Sequence, residues 1–229
     1  MAEIGKQIMK CPRCGKEIEV AIWDSINMPY DNDLKESIMK NTFFSVACDE
    51  CGARAPIVYR CEYNDIDKRY MIMTIPGTEE DMQNEIAQYN KRMKDDKALY
   101  FARAGYTQRI VCNSNELREK ILIFDEGLDD RYIETMKFVY YTELRKSLAK
   151  DCEIVGIFLE KHAENEYHWV VIFNNRQPAT LKINMNMYKD MKTRIKEQVE
   201  AATPEGICRI HGGWAVNVML KSQESFEEE

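Results

Sequence analysis

Two short stretches, Cys11-Pro12-Arg13-Cys14-Gly15 and Cys48-Asp49-Glu50-Cys51-Gly52, carry the same Cys-x-x-Cys-Gly pattern. Each such turn presents two thiolates from one tight loop, and two turns supply the four soft ligands that a tetrahedral zinc ion takes. The glycine after the second cysteine can adopt the positive φ that turns backbone N–H groups toward the sulfurs, and Pro12 stiffens the first loop. A lone Cys-x-x-Cys beside a βαβ pattern would suit a thioredoxin-like redox pair. Two of them, each followed by glycine and a β-rich run, fit that poorly. The pattern therefore points to one structural Zn2+ held by Cys11, Cys14, Cys48 and Cys51. Four protein ligands close the site, so such an ion stabilises the fold and does no chemistry.

The segments after the knuckles read as strands. "EIEVAIW" alternates Ile18, Val20 and Ile22 against Glu17, Glu19 and Ala21, and "APIVYRCEY" is rich in branched and aromatic residues. Knuckle plus strand is thus an internal pseudo-repeat. Between the two, "DNDLKESIMK" places Leu34 and Ile38 on one helical face, with Asp31 or Asp33 available as cap.

These residues carry a family resemblance. The run "CPRCG…WDSIN…DLKESIMKNTFFSVACDECG…MIMTIPG" resembles the CpXC family, named for its paired Cys-Pro-x-Cys motifs, and the similarity extends through "RIVCNSNELREKILIFDEGLDDRYIE", over residues 9–135. It is most specific in the first knuckle, in Trp23 to Asn27 and in Asn115 to Glu134. At the second knuckle Asp49 stands in place of the proline, while both thiols and Gly52 are kept. The resemblance implies paired metal-binding knuckles and brings no assigned reaction with it.

With 229 residues, 45% of them hydrophobic and 31% charged, the composition is that of a globular protein, and no run of about 18 apolar residues could span a bilayer. The start "MAEIGKQIMK" lacks a basic stretch followed by an apolar one, so a cytoplasmic location with free or metal-bound thiols is expected. A net charge of −7 opposes broad attraction to phosphate backbones.

Beyond the knuckles, Pro76-Gly77 ends the strand "RYMIMTI", and Thr78 can cap a helix whose first turn is acidic. Met82, Ile86, Tyr89 and Met93 form a narrow apolar stripe on it, suited to packing on its own domain or, less simply, on a partner. A strand over "YTQRIVC" precedes two helices interrupted at Gly127, the second bearing Ile133, Met136, Tyr140, Leu144 and Leu148. "EIVGIFLEKH", "EYHWVVIFNN" and "ATLKINM" read as an antiparallel meander, followed by a helix over 186–201 and a last strand over "WAVNVML". The expected architecture is α+β. An N-terminal zinc-ribbon-type β domain with a short helical insertion (1–77) leads through a connecting helix (78–105) into an α+β domain with an antiparallel sheet and packed helices (106–222). A disordered acidic tail is expected over 223–229.

Other constellations are weaker. Asp125, Glu126, Asp129 and Asp130 at a helix–turn–helix corner could bind a hard cation or serve a divalent-metal-dependent enzyme, but Asp129 and Asp130 also sit where a helix N-terminus favours acids. Cys208-Arg209-Ile210-His211 has half-site spacing, with Cys152, His162 or His168 as possible complements. Lys10, Arg13, Lys16, Arg54, Arg60, Lys68 and Arg69, interleaved with Tyr59, Tyr63 and Tyr70, would suit a nucleic-acid-binding face, although acids are as frequent there. Trp23 and Tyr59 are candidate recognition aromatics. A binding or adapter protein that contacts another protein is the leading expectation, with a nucleic-acid-binding factor and an enzyme as alternatives.

Overall fold

A computed structural model describes residues 4–227 of the chain. It divides into two compact units, Met1–Arg118 and Glu119–Glu229, and the chain is a mixed α+β protein.

In the first unit both knuckles are hairpin turns. Strand β1 (Ile4–Lys10) pairs antiparallel with β2 (Glu17–Trp23), from Ile4 opposite Trp23 to Lys10 opposite Glu17, so residues 11–16 are the connection. Strands β4 (Ser45–Ala47) and β5 (Arg54–Pro56) form a shorter antiparallel hairpin around residues 48–53. Between them lie β3 (Ser25–Met28) and helix α1 (Asn32–Met39). Ile38 on α1 is buried, as its spacing predicts. Asp31 occupies the cap position, but its carboxylate accepts from the Asn27 N–H at 2.7 Å instead of capping the helix.

The core of this unit is a four-stranded sheet in the order β3-β6-β7-β8, built with β6 (Cys61–Asp65), β7 (Tyr70–Thr74) and β8 (Thr107–Val111). The central pair β6/β7 is antiparallel, and the outer pairs β3/β6 and β7/β8 are parallel. Every residue of β7 is buried, the continuous apolar run of a strand covered on both faces. A parallel neighbour requires a crossover, which α2 (Glu79–Asp95) and α3 (Lys97–Arg103) supply. Residues 78–105 are therefore an internal crossover of the first unit. This corrects the reading of them as a connection between domains, since β8 returns to the sheet of β7. Thr78 and Asp81 close a reciprocal capping box at the start of α2, and Met82 and Tyr89 of its stripe are buried.

Helix α4 (Ser114–Asp125) contains the boundary between the units. The second unit is an antiparallel meander of β9 (Ile154–Ala163), β10 (Glu166–Phe173) and β11 (Ala179–Lys182), in the order β11-β10-β9. Residues of β10 alternate between half-buried and buried along its whole length. Its inward side chains, Trp169 and Val171 among them, join one core with Ile133 and Met136 of α5 (Asp130–Ser147) and Val218 of α8 (Gly212–Glu227).

Two expectations differ from the observed elements. The helix expected over 186–201 is broken at Ile195 into α6 (Met185–Arg194) and α7 (Lys196–Ala202). The segment 214–220, expected as a strand, is helical and belongs to α8. A short apolar run has no decisive period, and here Trp214, Ala215 and Val218 are buried on one helical face. His211 starts the helix, its Nδ1 accepting from the Gly213 N–H at 2.9 Å. Residues 223–227 continue α8 where a disordered tail was expected, and the last two residues of that tail lie outside the described residues.

Candidate metal centre

The two knuckles have the same backbone. The Cys11 N–H donates to the Lys16 carbonyl at 2.8 Å and the Gly15 N–H to the Cys11 carbonyl at 2.9 Å. In the second loop the Cys48 N–H donates to Ala53 at 2.9 Å and the Gly52 N–H to Cys48 at 2.8 Å. Gly15 and Gly52 take φ of +75° and +68°, a region that side chains with Cβ avoid. The rims are joined by Lys16 and Glu50, 2.8 Å apart.

Folding brings the four thiols together. The Sγ atoms of Cys11 and Cys51 are 3.6 Å apart, as are those of Cys14 and Cys48, and all four lie within 4.8 Å of one another. A disulfide would place sulfurs at about 2.05 Å, and all four cysteines are unbridged. For metal–sulfur bonds of about 2.3 Å a regular tetrahedron has an edge of about 3.8 Å, so the spacing matches a shared ion. Cys11 and Cys48 are buried, Cys51 is half-buried and Cys14 is exposed.

The electrostatics agree with this. Backbone N–H groups of Cys14 and Arg13 pull the Cys11 thiol down to about 6. The Lys16 N–H favours the Cys14 thiolate as well, yet desolvation and the crowding of Cys48, Cys11 and Cys51 push Cys14 up to about 12. Four thiolates at this spacing repel one another, and a divalent cation is what would let them ionise together.

The remaining candidates are dispersed or occupied by structural roles. Tyr59 is buried against Phe43 and Phe44, its ring centre 5.0 Å from that of Phe44, and Trp23 at the end of β2 is half-buried. Tyr63 and Tyr70 are buried and stacked on each other, so three tyrosines of the supposed nucleic-acid face are core residues that cannot stack on bases. Arg60 is paired with Glu85 at 3.0 Å. At the acidic corner each of three carboxylates already has a cation. Asp129 caps α5 and holds Arg131 at 2.7 Å, Asp130 is buried against Lys120 at 2.7 Å, and Glu126 pairs with Lys161 at 2.7 Å. Asp125 is half-buried beside them. Cys152 and Cys208 are buried, His162 and His168 stack on each other with centroids 3.9 Å apart, and His211 serves the start of α8. Among the described residues, Cys11, Cys14, Cys48 and Cys51 are the only cluster of Cys, His, Asp or Glu groups close enough to share a metal ion. Burial pushes the Cys61 thiol up to about 12, which marks it as an inert core residue.

The sequence reading missed the buried ionic contacts of the second unit, Lys120 with Asp130 and Lys137 with Glu119 and Glu134. These charges lie three or more residues apart along helical stretches and carry no pattern that separates them from solvated pairs.

Paired thiol knuckles, each closing a β-hairpin and together placing four sulfurs within reach of one ion, define a four-cysteine metal-binding protein. Comparison with known families agrees: the CpXC protein model matches residues 9–137, which include both knuckles and more than half of the sequence. The chain belongs to the CpXC family. No curated protein and no solved structure matches it.

Proposed function

We propose that Cys11, Cys14, Cys48 and Cys51 bind one Zn2+, and that the segment organised by the ion is a recognition module of a cytoplasmic binding or adapter protein. The observation that carries this reading is the four-sulfur cluster, with cross-knuckle distances of 3.6 Å and four thiols within 4.8 Å of one another. All-sulfur tetrahedral sites suit zinc or iron, and closure by four protein thiolates from two Cys-x-x-Cys turns supports a structural zinc ion.

A protein partner is supported over nucleic acid by the surface of the first unit. Ile8 on β1 and Val58 after β5 are apolar and exposed. Two basic side chains near the knuckles are paired with acids, Lys6 with Glu19 and Lys16 with Glu50. No helix among the described residues is long and apolar enough to cross a membrane.

The test is the metal content of protein purified without added metal, together with titration of a labelled 30-nucleotide single strand at low and moderate salt. The expected result is about one zinc per chain and no salt-sensitive binding. A photo-crosslinker placed at Ile8 is expected to capture a protein partner that the Cys48→Ser variant fails to capture. Folded protein without metal would overturn the reading.

A further inference from the structure

Strand β9 is an edge of the meander, and along residues 154–157 its outer side faces a groove where a guarding charge or proline is ordinarily found. Exposed edges are ordinarily protected by charge, proline or a covering element. From Ile154 to Leu159 the sequence "IVGIFL" has neither charge nor proline. The direction of its backbone groups follows from two hydrogen bonds. The Leu159 N–H donates to the Glu119 carboxylate at 2.6 Å, and on the opposite side of the sheet the Ile183 N–H donates to the Tyr167 carbonyl at 2.9 Å. With Leu159 opposite Trp169 and Ile157 opposite Val171, antiparallel alternation turns the N–H and C=O of both Leu159 and Ile157 away from β10. Glu119 satisfies Leu159. Ile157 faces a groove.

That groove, about 390 Å3, runs between the β9 edge at residues 154–157 and a wall of α5 and the start of α8. Tyr141, Val155 and Val216 line it and are among the exposed large apolar side chains of the protein, Val155 at 68%. Its polar end holds Glu134 and Lys137, and Lys137 bridges Glu119 and Glu134 at 2.8 and 2.9 Å. Glu134, the carboxylate that lines the groove, therefore shares this one ammonium with Glu119 and is only partly compensated.

We propose that this groove binds an extended segment of a partner protein, added as a fourth strand on β9, with apolar side chains against Val155, Tyr141 and Val216 and a basic side chain near Glu134. An open strand edge offers alternating N–H and C=O groups, which only an extended backbone matches in register. The apolar part of the lining calls for apolar side chains, and the partly compensated Glu134 calls for a cation. The groove is built from the second unit alone and the metal centre from the first, so the proposal does not depend on the proposed role of the zinc.

The test uses the full-length zinc-loaded protein and a displayed library of random 12-residue peptides, counter-selected against the Val155→Lys variant. Val155 is exposed, so this change places a charge on the edge without disturbing the core. Expected are enriched peptides with alternating apolar residues and a Lys or Arg. Their affinity should fall at least tenfold with Val155→Lys, and N-methylation should abolish binding at every second position only. Their Lys or Arg preference should weaken in Glu134→Gln, and the Ile157 amide should exchange quickly in free protein and slowly in the complex. The proposal is overturned if no peptide survives counter-selection, or if peptide binding ignores N-methylation. A wild-type dimer that Val155→Lys turns into a monomer would also overturn it, in favour of a second copy of this chain as the occupant.

Discussion

The Sγ atoms of Cys11 and Cys51 lie 3.6 Å apart although 40 residues separate them in the chain. Each thiol of one knuckle thus lies 3.6 Å from a thiol of the other, and a shared ion would tie two hairpins that are otherwise thinly packed. On β1 and β2 the buried position is Val20, and most other side chains are exposed or half-buried. A two-stranded hairpin with so little burial is marginal in water. Replacing Cys48 with Ser should therefore abolish stoichiometric metal and disorder the knuckle hairpins, since structural zinc contributes on the order of 10–16 kcal/mol of apparent binding free energy. Metal analysis combined with amide proton spectra checks this; full metal content and unchanged hairpin resonances would refute the ligand assignment.

Gly52 should be sensitive to substitution for a backbone reason alone. Its φ is +68° and an added Cβ would meet nothing within 4 Å, so Gly52→Ala introduces no clash. It should still cost about 1–2 kcal/mol from the left-handed conformation, seen as roughly tenfold weaker retention of metal in a chelator competition. An alanine variant that holds metal as tightly as wild type would show that the turn relaxes freely.

Neighbouring aspartates at the start of α5 should behave oppositely. Asp130 and Lys120 are both buried, and Lys120 also donates to the Ile210 carbonyl at 3.1 Å. Asp130→Asn leaves a buried ammonium poorly compensated and should cost about 3–5 kcal/mol in urea unfolding, with much of it recovered in Lys120→Met/Asp130→Leu. Asp129→Asn keeps a capping side chain and loses a partly exposed pair with Arg131, so it should cost about 1 kcal/mol or less. A divalent-cation thermal shift abolished by Asp129→Asn would instead revive a metal site at this corner.

Acid should loosen the second unit in part through Glu126. Its carboxyl is held below its ordinary value, first by the hydrogen bond from Lys161 and also by that from the Tyr167 hydroxyl, against the opposing effect of burial. A carboxylate with a depressed folded-state pKa contributes stability that is complete above its unfolded value, about 4.3, and lost as pH falls through the folded one. The stability difference between wild type and Glu126→Gln should therefore shrink from pH 6 toward pH 3. A difference that is constant over that range would show that Glu126 acts only by packing.

The sequence by itself determined the parts whose signal is local. Spacing and glycine placement disclosed both knuckles, because a Cys-x-x-Cys-Gly turn is built from five consecutive residues. Thr78 announced α2, and apolar runs bounded by turn signals at Asn165 and Asn174-Asn175 announced β9 and β10. What depends on residues far apart was decided only by tertiary structure. Packing set the helical state of 214–220, where Trp214, Ala215 and Val218 meet the core of the second unit. The parallel pairing of β7 with β8 made residues 78–105 a crossover within the first unit. Burial turned Tyr59, Tyr63 and Tyr70 from a conceivable stacking face into core, and Lys120 with Asp130 from surface charges into a buried pair. Four thiols can be read from a sequence, but their meeting within 4.8 Å requires two hairpins to fold toward each other, and no local propensity encodes that approach.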